Sequence, residues 1–278
     1  MYMNLGYRIA IPSYKRAETL RQKTLRTLAI FCFPPEIIDV FVIPEEYNNY
    51  EATLLEESYC NLIEGVPTLA GQRVFIQDYY PPGQKILMMD DDISNFKTLV
   101  NYPLTLQFKW LFEKLQQENC NLFGIYPASN FFFMKDKLQK GLHYCIGSCF
   151  GIINKKDMSA PMDEKEDYYM TLYRYEKDGA ILRYCGISPV TTYWKGTGGM
   201  NATRTMESEL AGANLMKQLF PLLVDCVYRK KGGRWDLKLF RQQSQYIPES
   251  SLFAELTNLS ESDHLHPASP TLDTEQTS

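Results

Sequence analysis

Apolar residues fall along this chain in short blocks, and their spacing switches repeatedly between that of strands and that of helices. The first block, residues 7–12, holds Ile9, Ala10 and Ile11 ahead of Pro12-Ser13-Tyr14. Leu25, Leu28, Ala29 and Cys32 then recur at helical spacing, which predicts strand, loop, helix. A second apolar run at 37–43 stops at Pro44, and the polar segment 45–57 that follows suits a short helix around Leu54 and Leu55. Leu62 and Ile63 predict a third short strand and 70–79 a helix. Pro81-Pro82-Gly83 then turns the chain into a buried strand at 85–89, which runs directly into Asp90-Asp91-Asp92.

Beyond the aspartates, Leu104, Phe108, Leu111 and Leu115 mark one face of an amphipathic helix. Residues 122–135 are aromatic and β-prone, and 145–153 reads as a strand carrying the small residues Gly147, Ser148 and Gly151. An acidic start at 163–167 opens a helix to Lys177, with Gly179 where a C-terminal cap belongs. Residues 181–187 are strand-like and 194–200 form a glycine-rich loop. The alternation predicts an α/β fold: a mixed, mostly parallel, Rossmann-like sheet flanked by helices. The expected organisation is a catalytic domain over 1–248 followed by a flexible acidic tail over 249–278.

Composition narrows the class. Hydrophobic residues make up 45% and charged residues 22% of the 278, which excludes disordered, collagen-like and coiled-coil chains. No apolar run approaches the roughly 20 residues of a membrane span, and the first residues lack a secretory pattern, so a soluble, cytoplasmic protein is expected. Seven cysteines without a Cys-x-x-Cys pair read as reduced thiols, and His143 is the one histidine before the tail. The formal charge of −4 speaks mildly against a polyphosphate-gripping protein. However, the tail contributes six acids and no Lys or Arg, which leaves 29 basic against 27 acidic residues over 1–248.

The triple aspartate is the sharpest chemical signal. Carboxylates clustered at the end of a buried strand supply hard oxygen ligands at the rim where α/β ligand sites form, and they suit Mg²⁺ or Mn²⁺. A solvated acidic turn has the same sequence. Pro12, Ser13, Tyr14 and Arg16 sit where a first strand meets its helix, facing a nucleotide in one reading and merely capping the helix in the other. Arg73 is either an anion partner or a surface arginine. Glu166 and Asp167 fit both a general base and ordinary complementation of the helix dipole. Arg174, two turns beyond Asp167 and on its face, is either a partner that holds the base and contacts acceptor or phosphate, or an ordinary paired surface residue. Trp194, Lys195 and Gly198 suit a phosphate-approaching loop or a flexible hairpin. The cluster from Arg229 to Arg241, with Trp235 inside it, suits phosphate contact and stacking or a solvated face.

Taken in order, Ile11-Pro12-Ser13-Tyr14-Lys15-Arg16, Gly71-Gln72-Arg73, Asp90-Asp91-Asp92, then Glu166-Asp167 with Arg174 and Gly179, the chain resembles glycosyltransferases of the GT-A fold. Within them it is most similar to the TET/JBP-associated, base J glucosyltransferase-like group. The resemblance covers about the first 200 residues and implies a UDP-sugar donor with Mn²⁺ or Mg²⁺. It places Pro12, Ser13, Tyr14, Arg16, Arg73, Asp90 and Asp91 on the nucleotide-sugar, Asp92 with Asp90 on the metal, and Asp167 as base with Glu166 as substitute. Val74 departs from the Asn expected after the arginine, and the metal-binding histidines of some such enzymes correspond to His264 or His266. The implied acceptor is a hydroxymethylated pyrimidine in DNA, as in modified phage DNA. Three alternatives remain open at this point: a GT-A enzyme acting on a glycan or small molecule, a haloacid-dehalogenase-type phosphohydrolase reading Asp90-x-Asp92, and a non-catalytic nucleotide-binding module.

Overall fold

The computed structural model describes residues 4–159, 161–191, 205–230, 233–240 and, by backbone, 245–247. In chain order its elements are β1 (Arg8–Pro12), α1 (Ala17–Leu20), α2 (Arg26–Ile30), β2 (Ile38–Val42), α3 (Tyr47–Thr53), β3 (Asn61–Glu64), α4 (Leu69–Tyr79), β4 (Lys85–Met89), β5 (Asn95–Thr98), α5 (Leu104–Gln117) and β6 (Leu122–Ile125). Then follow β7 (Leu138–Gly141), β8 (Cys149–Ile153), α6 (Glu166–Asp178), β9 (Ile181–Tyr184), β10 (Ile187–Val190), α7 (Met206–Leu219), β11 (Val224–Arg229), β12 (Arg234–Leu239) and β13 (Gln245–Ile247).

Among the described residues, nine strands form one sheet in the order β13-β7-β9-β6-β8-β4-β1-β2-β3. Its β4-β1-β2-β3 half is parallel throughout; β8 runs against both β4 and β6, and β7 against β9 and β13, so only β7 and β8 oppose the common direction. The predicted mixed, mostly parallel α/β sheet is therefore what forms. Side chains alternate across it. Ile9 and Ile11 face one core with Leu20, Leu28, Phe108 and Phe112, while Ala10 faces the other with Phe41, Ile76 and Phe150. A third cluster joins α6, α7 and the β11–β12 hairpin through Leu172, Ala213, Met216 and Leu237.

Several expectations change in detail. The first helix contains a π-helical stretch at Arg21–Leu25, which adds a residue to one turn and rotates the following face. Thr24, Leu25, Thr27 and Leu28 are consequently buried, whereas Ala29 and Cys32 are exposed. The aromatic stretch 122–135 is a strand only to Ile125; Phe131, Phe132 and Phe133 lie exposed in the loop after it. The strand-like 181–187 divides at Gly186 into β9, in the main sheet, and β10, which pairs with β5. Gly179 caps α6 at φ 76°, in the left-handed conformation its position calls for. All seven cysteines are free thiols, as expected; Cys120, Cys145, Cys149 and Cys185 are buried, and Cys32 and Cys60 are exposed. Among the described residues no helix is long and apolar enough to cross a membrane.

Candidate active site

Strand order places the site. From β1 the chain moves outward to β2 and β3, then returns to lay β4 on the other side of β1, so the carboxyl ends of β1 and β4 flank a topological switch point. The loop after β1 carries Ser13, Tyr14 and Arg16, and the end of β4 carries Asp90, Asp91 and Asp92. These two segments, 75 or more positions apart in sequence, are bonded together. The Ser13 hydroxyl donates to Asp91 Oδ2 at 2.6 Å, and the Arg16 guanidinium lies 3.2 Å from Asp91 Oδ1 and 3.5 Å from Asp92 Oδ2.

The three aspartates therefore take different roles. Asp91 turns inward, buried, and ties the β1 loop to the β4 end; this corrects its placement on the nucleotide-sugar. Asp90 and Asp92 keep partial exposure, 33% and 17% at the side chain, each with one oxygen beside a guanidinium, that of Arg73 and of Arg16 respectively. Burial is the first cause that pushes the Asp90 carboxyl up, to about 8; Arg73 opposes the shift, and Asp92, Asp91 and Glu166 add to it. The backbone here is held by residues whose role the spacing did not reveal. Thr24 donates to the Asp90 carbonyl at 2.8 Å and accepts from the Ile93 amide at 2.9 Å, and Thr27 donates to the Ile93 carbonyl at 3.0 Å. Two threonines on the apolar face of a helix were the available signal. Tyr50 bridges the Ser13 hydroxyl at 2.6 Å and the Arg16 amide at 3.0 Å, and it lies too far along the chain for any pattern to expose.

Arg73 is buried in α4 and faces the opposite wall. Its guanidinium lies 3.4 Å from Asp90 Oδ1 and 3.5 Å from Glu166 Oε1, and it donates to the Gly147 carbonyl at 2.9 Å. Glycine at 147 eases that approach, since a Cβ there would stand 3.0 Å from the guanidinium and 3.3 Å from Asp167 Cβ, tight enough that the neighbours would have to give by a few tenths of an ångström. The Arg73 guanidinium also lies over the Phe150 ring at 5.0 Å. Arg73 thus joins the acid at the end of β4 to the acid at the start of α6, which the sequence left 76 positions apart.

Asp167 is oriented by two donors: the Tyr144 hydroxyl on Oδ2 and the Tyr168 amide at 2.8 Å on Oδ1. Tyr144 and Tyr168 stack at 4.4 Å, and the Tyr168 hydroxyl donates to Asp236 of the β11–β12 hairpin at 3.2 Å. Arg174 does not pair with Asp167. It is 2% exposed and makes a two-pronged pair with Asp157, so its expected contact with acceptor or phosphate is corrected to a role inside the fold. Pro12 is buried as the last residue of β1, and Tyr14 remains exposed at the crevice loop. Trp194, Lys195, Gly198, Lys231, Arg241, His264, His266 and the tail 249–278 lie outside the described residues.

Among the described residues no three His, Cys, Asp or Glu side chains form a preassembled metal cage. The donor set nevertheless fits a hard divalent ion, because Mg²⁺ and Mn²⁺ bind through one or two carboxylates and complete their shell with water and substrate phosphates. Asp90 and Asp92 are the partly exposed carboxylates at the end of β4 that would hold it.

No family model matches the sequence, and no curated protein matches it significantly. Among solved structures it is similar to glucosyl-3-phosphoglycerate synthase from Mycobacterium tuberculosis in complex with Mg²⁺ and UDP, at 10% identity over 89% of this chain and 92% of that one, with a TM-score of 0.48. It is also similar to S. aureus TarS 1–349 in complex with UDP, at 13% identity, 66% and 59% coverage and a TM-score of 0.46. A mannosyltransferase from Pyrobaculum calidifontis, in complex with GDP-Man and Mn²⁺, matches at 12% identity, 61% and 53% coverage and 0.39. The chain spans 59% of the TarS 1–349 structure. At TM-scores below 0.5 none of these likenesses bears on the chemistry of this chain, which is read from its own residues.

Proposed function

We propose that this chain is a metal-dependent glycosyltransferase of the GT-A kind that moves a sugar from a UDP-sugar to a hydroxyl acceptor. The observation that carries this reading is the pair Asp90 and Asp92 at the carboxyl end of β4, across the β1/β4 switch point from the Tyr14–Arg16 loop. Such a crevice accepts a nucleoside diphosphate, with the base and ribose toward the β1 loop and the diphosphate toward the aspartates. A divalent ion on Asp90 and Asp92 would supply charge neutralisation to the departing diphosphate.

The chain's own residues do the rest. Asp167, held in one orientation by Tyr144 and the Tyr168 amide, takes the proton from the acceptor hydroxyl as that oxygen bonds to the anomeric carbon and the bond from that carbon to UDP breaks. Glu166 is the substitute base. Arg73 sets the distance between the donor-side and acceptor-side acids by pairing with both walls. The ordered motifs resemble the TET/JBP-associated group, and the acceptor this implies is a hydroxymethylated pyrimidine in DNA.

The test is transfer of radiolabel from a UDP-sugar to DNA containing hydroxymethylated pyrimidine, run beside unmodified DNA and carbohydrate acceptors. Label in the modified DNA alone is expected. Label in a carbohydrate instead would keep the transferase and overturn the acceptor, and metal-dependent release of phosphate without sugar transfer would overturn both.

A further inference from the structure

The basic and aromatic segment that begins at Arg229 folds into the β11–β12 hairpin, and the hairpin is bonded to the start of α6. Arg229 at the end of β11 pairs with Asp236 of β12, its Nε 3.3 Å from Oδ2. The other oxygen of Asp236, Oδ1, accepts from the Leu237 amide at 2.9 Å and from the Tyr168 hydroxyl at 3.2 Å. Trp235 lies beside Tyr228, ring centroids 5.2 Å apart, and its carbonyl accepts from Lys165 Nζ at 3.1 Å. Both bonds land on the first turn of α6, whose N-cap is Lys165 and whose third residue is Tyr168, with Asp167 between them. Leu237, buried against α7, anchors the hairpin in turn.

Helix α6 opens without the usual aid. Lys165 stands at φ 65°, in the left-handed region that residues other than glycine enter at a cost, and its side chain makes no capping hydrogen bond. Such a turn keeps its shape only where surrounding contacts over-determine it. The hairpin supplies one through Lys165 and one through Tyr168, and the second continues to the base. The Tyr168 ring lies on the Tyr144 ring at 4.4 Å and 27°, the Tyr144 hydroxyl donates to Asp167 Oδ2, and the Tyr168 amide donates to Oδ1 at 2.8 Å. Burial first, and then the neighbouring acids, push both phenols well above the usual tyrosine range, so each stays a neutral donor at physiological pH.

We infer that Tyr168 and Asp236 are positioning residues: the β11–β12 hairpin, through the Tyr168–Asp236 hydrogen bond and the Tyr168–Tyr144 stack, fixes the direction in which the Asp167 carboxylate meets the acceptor's proton. This role rests on the reading of Asp167 as the base. Proton transfer needs the carboxylate within hydrogen-bond reach of the attacking hydroxyl, and a displacement of about 1 Å set far from the chemistry can cost about a hundredfold in rate.

The full chain is assayed for Mn²⁺-dependent release of UDP from UDP-glucose, UDP-galactose and UDP-N-acetylglucosamine with water as acceptor, and UDP affinity and Tm are measured beside it. Tyr168→Phe keeps the ring stack and removes one hydrogen bond. Its kcat should fall about fivefold, with KM for the UDP-sugar, UDP affinity and Tm close to the parent's. Asp236→Ala should do the same, and Asp236→Asn, which keeps an oxygen for the Tyr168 hydroxyl, should recover most of the lost rate. In an Asp167→Asn background Tyr168→Phe should cost nothing further, because it acts through that carboxylate. Parental kcat in Tyr168→Phe would overturn the proposal. So would a rate loss matched by an equal loss of UDP affinity, or one that persists in full beside Asp167→Asn. Hydrogen exchange at the Tyr169 amide, bonded to the Lys165 carbonyl at 2.9 Å, reads the tether without turnover. Faster exchange in Asp236→Ala is expected, and unchanged protection would overturn the proposal. A parent that releases no UDP from any of the three sugars fails the transferase reading itself, a result told apart from the others because the exchange difference does not depend on turnover.

Discussion

Replacing Asp90 with asparagine is expected to make the metal-free protein more stable at neutral pH while removing its metal site. The Asp90 carboxyl is pushed up to about 8, with burial the leading cause, whereas an exposed aspartate titrates near 3.9. The sign follows from proton uptake: between those values the folded state binds the proton more tightly than the unfolded chain. The stability attached to the protonated group is therefore complete below about pH 4 and is lost as pH rises toward 8. At pH 7 this spans about three pH units, or about 4 kcal/mol if the carboxyl were sealed from water. A third of the side chain is exposed, so solvent screening reduces this to about 2 kcal/mol. For a chain of this size that is about 4–8 °C in Tm. Thermal denaturation in metal-free buffer from pH 4.5 to 8.5 should show Asp90→Asn melting higher than the parent at pH 7 and converging with it at the acid end. A variant that melts lower at pH 7 would show that the Asp90–Arg73 pair stabilises the apo fold, and the reasoning would fail.

Other substitutions separate fold from chemistry. Asp167→Asn should slow sugar transfer about a hundredfold or more with UDP affinity unchanged; steady-state kinetics with calorimetry checks this, and activity near that of the parent would move the base to Glu166. Arg174→Met breaks a pair whose partner Asp157 is partly exposed, costing about 2 kcal/mol, so Tm should fall by several degrees while kcat/KM stays within about twofold. Gly151→Ala puts a Cβ 2.2 Å from the Phe123 ring, inside the sheet between β4 and β6, and should destabilise by about 1–3 kcal/mol in a denaturant titration.

The parts of this molecule that could be read from sequence are those set by local spacing. Residues 85–89 are a continuous apolar run between a Pro-Pro-Gly turn and three acids, and they form β4 with those bounds. Leu104, Phe108, Leu111 and Leu115 all face the core from α5 as their spacing requires. What could not be read depends on contacts between distant segments. Nothing local distinguishes Asp91 from its neighbours; only the arrival of Ser13 and Arg16 turns it inward. Arg174 lies on the face of Asp167, but Asp157, in the loop before α6, meets it first. The π-helical stretch at Arg21–Leu25 inserts a residue into the helical repeat, so a regular 3.6-residue reading chose Ala29 and Cys32 where Thr24 and Thr27 are buried. Phe131 to Phe133 fit a strand by composition, yet β6 ends at Ile125 and they lie exposed on the loop after it.

The central claim is that Asp90 and Asp92 hold a divalent ion against the diphosphate of a UDP-sugar, and calorimetric titration of UDP in the presence and absence of Mn²⁺ tests it most directly. The parent chain should bind UDP with Mn²⁺ and far more weakly without it, and Asp92→Ala, with an unchanged melting profile, should lose that dependence on the metal. UDP binding that ignores Mn²⁺, or that survives Asp92→Ala intact, would contradict it.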